Sequence, residues 1–424
     1  MSAPSDKNLS ETLFNKVQPY KIRETSTISS SGNPLPCEPQ EQFLIDGLCT
    51  PSWFRVLRRA FWIWQGAEPI ELEETLARIA TSDGERTNPQ QIDTVQGFIP
   101  GNWCYEWSQV AGEHNRKAKE ADDAGESWIA KKEYFLAARY YSIASYPHLK
   151  GDELAEQAQV QANIAYREGG RYLPVPLKEL KVPFRGKEIK GYLHLPHDDH
   201  PVPLVMVTGA IDSLQLDFIR LFEKVLEPLG IGMLSLDLPG CGYSSHWPLV
   251  EDSSRLHQAV LQYLKEVPWV DDQRVGMVGF RLGGNVAVRL SYLEQLRLKA
   301  VVCVGPGMHN YFTDPAIFEL SPPMMRASLA NRLNMDASDW DAVQKSSQVF
   351  SLKRQGLVGV SKTRVPILSI GHRRDFICPE ADIRMLASSS LSGKAVVLDK
   401  EPVKEQMHRM LSEIGEWLRL HFNL

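Results

Sequence analysis

The residues whose types and spacing carry the clearest chemistry are Val275-Gly276-Met277-Val278-Gly279-Phe280-Arg281-Leu282-Gly283-Gly284-Asn285-Val286-Ala287-Val288. A short apolar run enters a Gly-x-X-x-Gly turn and leaves as an amphipathic helix, the strand-turn-helix context of a nucleophile elbow. The central residue of such an elbow projects from a strained, positive-φ turn, and strand and helix pass so close that the flanking positions must lack bulk. Gly279 and Gly283 meet that demand. The central position, normally Ser, Cys or Asp, is Arg281, which has no lone pair able to attack a carbonyl at physiological pH. The acyl-enzyme route is closed at this position. What remains is a cation at a helix N-terminus, where free N–H groups and the helix dipole already favour anions. Arg281 therefore reads first as a site for a substrate carboxylate or an oxyanion. The competing reading is a buried ion pair with a leftover triad acid, in a fold that no longer catalyses.

The elements that must position this turn are legible from residue 170 onward. Residues 177–182 and 187–195 alternate as an entry hairpin, and Leu204-Val205-Met206-Val207 is a fully buried strand. Strand and helix then alternate through 218–227, 232–237, 256–264, the elbow, 300–304, 365–370, 395–398 and a final helix at 411–420. That order predicts an α/β chain with a mostly parallel sheet wrapped by right-handed crossovers, the α/β-hydrolase fold. Residues 308–360 are too long for a simple connection and carry helical spacing, so they read as a helical cap inserted beside the site.

Ligand groups in such sheets gather beyond the carboxyl ends of the strands. After residue 207 comes Thr208-Gly209-Ala210-Ile211-Asp212, the place of an oxyanion loop whose N–H pairs with that of Leu282. Thr208, Gly209, Ala210 and Leu282 are thus candidate substrate-binding residues. Asp212 is a candidate carboxylate or, equally, a cap. Ser244, in the Gly-rich turn after Asp237, shapes that turn rather than attacks. Gly371-His372-Arg373-Arg374-Asp375 has the form of the loop that supplies a triad acid, so Asp375 would orient an imidazole or pair with Arg281. The nearest histidine before the last helix is His408, the remaining catalytic candidate, although its surroundings suit a surface position.

Upstream, residues 1–50 are rich in Ser, Thr, Pro and charge and read as an arm. From Trp53 the texture turns helical: Trp53, Leu57, Phe61 and Trp64 recur at helical spacing, and helices continue through 128–146 and 152–166, the second capped at Asp152. Residues 51–170 are expected to form an all-helical lid over the strand carboxyl ends, with Trp103, Trp107 and Trp128 as packing first and pocket lining second. Residues 171–424 then make the sheet domain.

The 424-residue length fits such a division, and hydrophobic and charged fractions of 43% and 23% are those of a globular protein. A net charge of -5 gives no sign of a nucleic-acid partner. Met1 to Lys7 has no apolar signal-peptide core and no run is long enough to cross a bilayer, so the expected location is cytoplasmic. Six cysteines without C-x-x-C spacing suggest neither a metal knuckle nor disulfides, and no metal or cofactor is expected.

Gly279-Phe280-Arg281-Leu282-Gly283, the run 146–159 beginning Tyr146-Pro147-His148-Leu149-Lys150-Gly151-Asp152, Asn8-Leu9-Ser10-Glu11-Thr12-Leu13-Phe14 and residues 251–258 together resemble the bacterial fermentation-respiration switch family, FrsA. The likeness spans almost the whole chain. It implies a helical lid on an α/β-hydrolase domain and a carboxylesterase assignment. It also implies a rival proposal, cofactor-independent decarboxylation of pyruvate or a related 2-keto acid, and a partner, the glucose-specific enzyme IIA of the sugar phosphotransferase system. Arg281 matches the family's own departure from the hydrolase pattern. A third reading is a catalytically silent, metabolite-binding regulator of fermentation versus respiration.

Overall fold

The computed structural model describes residues 42–424, which form one compact unit. The chain opens with a short antiparallel hairpin, β1 (Gln42–Leu44) and β2 (Gly47–Cys49). Helices α1 (Arg59–Trp64), α2 (Pro69–Ala80), α3 (Trp103–Asp123), α4 (Ser127–Ser145) and α5 (Glu153–Gly170) follow. Asp152 caps α5 as its position suggested, accepting from the Ala155 amide.

The helical spacing from Trp53 is only half fulfilled. Residues 53–58 are not helical, because Leu57 exchanges backbone hydrogen bonds with Leu48 at 3.1 and 3.2 Å and is held extended against β2. Residues 42–49 are therefore built into the compact unit, where the sequence suggested an arm running to residue 50.

The sheet has eight strands among the described residues: β3 (Lys178–Phe184), β4 (Lys187–His194), β5 (Val202–Thr208), β6 (Gly232–Leu236), β7 (Val270–Phe280), β8 (Leu298–Val304), β9 (Ile367–His372) and β10 (Gly393–Leu398). Their order is β10-β9-β8-β7-β5-β6-β4-β3, parallel except for the antiparallel pairings of β4 with β3 and β6. Along β5 the side chains alternate between layers as the two-residue period requires. Leu204 and Met206 join a core that also holds Trp62, Trp103 and Trp107, while Val205 and Val207 join one with Ile414 and Phe422 of the C-terminal helix (Val403–Phe422). The helical block contributes to both cores, its tryptophans to the first and Ala137, Ala138, Ala162, Ala165 and Tyr166 to the second. Trp103 and Trp107 are fully buried packing residues, but Trp128 is 75% exposed and packs no core. No helix of the described residues is long and apolar enough to cross a membrane.

Between β8 and β9 four short helices, at Asn310–Thr313, Pro315–Glu319, Pro323–Leu333 and Trp340–Ser347, make up the insertion. Asn285 ties its two ends down: Nδ2 donates to Gly307 O at 3.0 Å and Phe350 O at 2.8 Å. The five cysteines of the described residues are free and buried; Cys37 lies outside them.

Two features of this packing are directly testable. A Cβ on Gly283 would stand 2.5 Å from the Thr208 carbonyl oxygen and 2.6 Å from that of Gly209, both backbone atoms. Gly283→Ala should therefore cost at least about 1–3 kcal/mol in chemical denaturation, the usual range for overpacking. His257 is completely buried with neither ring nitrogen partnered, and burial pushes its imidazole down to about 3. The unfolded chain takes up this proton below about 6.5, so the folded state loses stability as pH falls from there toward 3. His257→Met should flatten that fall by up to about 1.4 kcal/mol per pH unit, read from denaturation midpoints between pH 7 and 4.

Candidate active site

Arg281 follows β7 with φ 54° and ψ −121°, the strained conformation its elbow position demands, and the helix Leu282–Leu293 begins at once. Close approach explains the flanking glycines: a Cβ on Gly279 would lie 2.2 Å from the Gly283 carbonyl oxygen. The Gly283 amide donates to Gly209 O at 3.0 Å, binding the elbow to the loop after β5. Geometry of the elbow is intact, although its central side chain is cationic.

That side chain is 7% exposed and paired on two sides. Its Nη1 donates to Asp375 Oδ2 at 2.7 Å and to the Gly305 carbonyl at 3.3 Å. Its Nε donates to Asp46 Oδ1 at 3.1 Å, and Nη2 donates to the same oxygen. Asp46 lies on the turn of the β1–β2 hairpin and reaches a second arginine: Arg58 Nη2 stands 3.1 Å from Asp46 Oδ2 and donates to both oxygens of Asp212 at 3.0 and 2.9 Å. The result is an unbroken chain of buried charge, Asp375–Arg281–Asp46–Arg58–Asp212, with three carboxylates and two guanidiniums.

Its members respond differently. Burial opposes ionisation of Asp46, but Arg281 and then Arg58 outweigh it and hold the carboxyl down at about 2. Burial prevails at Asp375, raising it above the ordinary carboxylate range despite Arg281 and despite the Ile45 amide donating to Oδ2 at 2.9 Å. Arg281 is raised: burial works against its charge and Asp375 and Asp46 more than restore it.

Two cavities meet at this chain. The larger, about 310 Å3, is lined mainly by apolar side chains, with Arg58, Asp46 and Arg281 in its wall. The smaller, about 50 Å3, lies toward the inserted helices and is lined by Arg281, Asp212, Ala210, Leu282 and Tyr311. Tyr311 is a phenol pushed up to about 12 by burial, 2.9 Å from Ser321 Oγ. Ala210 and Leu282, at the oxyanion-loop and post-elbow positions, both line this space, and neither amide bonds to another described residue. Asp212 also lines a polar hollow of about 10 Å3 with Arg139, His148 and Asp217, room for roughly one water.

The sequence candidates are thus only partly assembled. Arg281, Asp375, Asp212, Ala210 and Leu282 come together. Thr208 is buried in the strand end with its hydroxyl unpartnered, and Gly209 serves the elbow through its carbonyl. His408 does not join them. It is exposed on the face of the C-terminal helix that carries Lys404, Ser412 and Glu416, while Gln406, Met407 and Met410 face the larger cavity. No histidine of the described residues lines either cavity. Ser244 lies in the turn after β6, its hydroxyl buried without a partner. Asp46 and Arg58 went unread, yet Asp46-Gly47 between apolar residues is a hairpin signal. The one group of possible metal ligands among the described residues, His197, Asp199 and His200, sits on an exposed turn before β5, at the opposite end of the sheet from the elbow.

Because Arg281 separates two carboxylates that are otherwise desolvated, its loss leaves uncompensated buried charge. Arg281→Gln is expected to destabilise the fold by about 3–5 kcal/mol at pH 7 in urea denaturation, the usual cost of breaking a buried pair from one side.

A family model described as Esterase FrsA-like matches residues 4–422. A relative named Esterase FrsA in Photobacterium profundum is 40% identical over 419 residues, covering 99% of each chain. Another, from Enterobacter sp. (strain 638), is 44% identical over 416 residues, covering 97% of this chain and 98% of its own. Among solved structures, a 2,6-dihydroxy-pseudo-oxynicotine hydrolase superposes with a TM-score of 0.67 at 18% identity, covering 85% of this chain and 95% of that one. AbyA5 does so at 0.61 and 19%, covering 83% and 94%. These likenesses speak for the fold, whereas the full-length match and the 40–44% identities speak for descent. The chain belongs to the FrsA-like esterase family.

Proposed function

We propose that this chain hydrolyses carboxylic esters by direct attack of water, with no covalent acyl intermediate. The observation that carries the reading is that Ala210 and Leu282, whose amides have no partner among the described residues, both line a small cavity beside an elbow whose side chain is a guanidinium. An ester carbonyl placed there would have its developing oxyanion received by two fixed N–H donors, with the charge of Arg281 behind them. Asp212, bound through its oxygens only to the single Nη2 of Arg58, keeps lone pairs for a water and is the general base in this scheme. Asp375 is less suited, since its oxygens already accept from Arg281, Ile45 and Ile377. The name Esterase FrsA carried by the relatives supports the same reaction class.

A second reading, a silent ligand-binding protein, draws on one specific observation. Arg281 is already engaged by Asp46 and Asp375, which balance much of its charge before any reaction begins. Decarboxylation of pyruvate or a related 2-keto acid gains no such support. It would develop carbanion character on carbon, and neither cavity is lined by a described lysine that could take up that charge through a Schiff base. Binding of the phosphotransferase enzyme IIA remains a proposal by family likeness.

Pre-steady-state turnover of an activated aryl ester tests the scheme. Expected are steady hydrolysis without a stoichiometric burst, and a loss of roughly 10²-fold or more in kcat for Asp212→Asn with KM little changed. A burst of one equivalent, or trapping of an acylated residue, would show a nucleophile outside the elbow. Absence of turnover across a panel of esters would favour the silent reading.

A further inference from the structure

The larger cavity has a composition that the hydrolytic scheme does not use. Its body is formed by side chains such as Leu57, Phe61, Phe218, Phe280, Met407 and Met410, contributed by the helical block, the sheet and the C-terminal helix. Charge enters mainly at one place, where Arg58, Asp46 and Arg281 form part of the wall. A mainly apolar space with two guanidiniums in its wall is complementary to a molecule with an apolar tail and one anionic head. At about 310 Å3 it is at the small end of the range for small-molecule sites.

Asp46 shows how such a head would be held. It is a single carboxylate on a hairpin turn that touches both arginines at once, the contacts a bound carboxylate would make. Adding a fourth carboxylate to a buried cluster of three acids and two cations would be opposed by both desolvation and repulsion. Exchanging one carboxylate for another leaves the charge balance unchanged. Asp46 is also the most exposed acid of the chain of charges, at 15% of its side chain against 3% for Asp212 and 0% for Asp375, and so the one that can leave for water. Met407 and Met410 give the lining unbranched, adaptable side chains that suit a flexible alkyl tail better than a rigid ring.

We propose that this cavity is an acyl site for medium-length, unbranched carboxylates, whose head displaces Asp46 from Arg58 and Arg281. The inference deepens the hydrolytic reading, on which it rests for its link to turnover, by naming the acid portion of the ester. Asp46 is then a built-in competitor that keeps the two arginines neutralised until an acid arrives.

Calorimetric titration of the full chain with decanoate, butyrate and decanol is the test. Decanoate should bind saturably at one site, with butyrate at least tenfold weaker for lack of a tail. Asp46→Asn should tighten decanoate about tenfold or more and leave decanol unchanged, because only the acid competes with Asp46. Met407→Trp, at a half-buried position with its fold checked by thermal unfolding, should fill the cavity and weaken both long-chain ligands at least tenfold. No saturable decanoate binding by either the wild type or Asp46→Asn would overturn the site, as would binding unaffected by Met407→Trp. Decanoate affinity no higher in Asp46→Asn than in the wild type would overturn the placement of the head. Free acids carry no ester bond, so a chain that binds decanoate but turns over no ester sinks the hydrolytic reading alone. A chain that hydrolyses short esters but binds no decanoate sinks the acyl site alone.

Discussion

The alternation of charge from Asp375 through Arg281, Asp46 and Arg58 to Asp212 is the constraint on which the rest of the site depends. Each of these groups alone would be costly to bury, and each is tolerable because its neighbour has opposite sign. The chain also ties together parts distant in sequence. Asp46 comes from the first hairpin, Arg58 from the residue before α1, Asp212 from the loop after β5, Arg281 from the elbow and Asp375 from the loop after β9. It is therefore as much a structural clasp between the helical block and the sheet as a chemical feature. Both uses of Arg281 suggested by its type, anion holder and partner of a leftover acid, meet in this arrangement: it holds anions, and those in place are the protein's own.

Much of the architecture was legible because it rests on local periodicity. Fully buried runs such as 204–207, the alternation in 187–194 and the glycines around Arg281 each have a physical signature a few residues long, and the structure has strands and an elbow where they fall. The apolar spacing from Trp53 does not give a helix because a non-local partner outweighs it: Leu57 is held extended by Leu48, a pairing that no helical count reveals. Trp128 misled for a related reason, since an aromatic residue on a helix need not be on its buried face.

The site was less legible than the fold. Asp375 and Asp212 could be placed because strand carboxyl ends converge, so a carboxylate following a strand is already near its neighbours. Asp46 and Arg58 have no such rule. Asp46 lay within a stretch read as an arm on its overall polarity, where a short hairpin was outweighed by the long polar run before it. His408 was sought by analogy with catalytic triads, and the side of the C-terminal helix that turns toward the cavity carries methionine and glutamine instead. An elbow that bears arginine has no hydroxyl or thiol for an imidazole to deprotonate, so cavity walls without a histidine among the described residues are consistent with the change at residue 281.

Asn285 sits one turn into the elbow helix and holds the carbonyls at both ends of the inserted helices. The insertion is thereby a closed loop whose base is fixed to the most constrained part of the sheet. Closing a long loop costs little more than closing a shorter one. The chain between Gly307 and Phe350 can therefore change in length at little entropic cost, provided that it keeps anchors such as Arg332, which donates to the carbonyls of Ile211, Pro147 and His148, while the strained backbone beneath it keeps its shape.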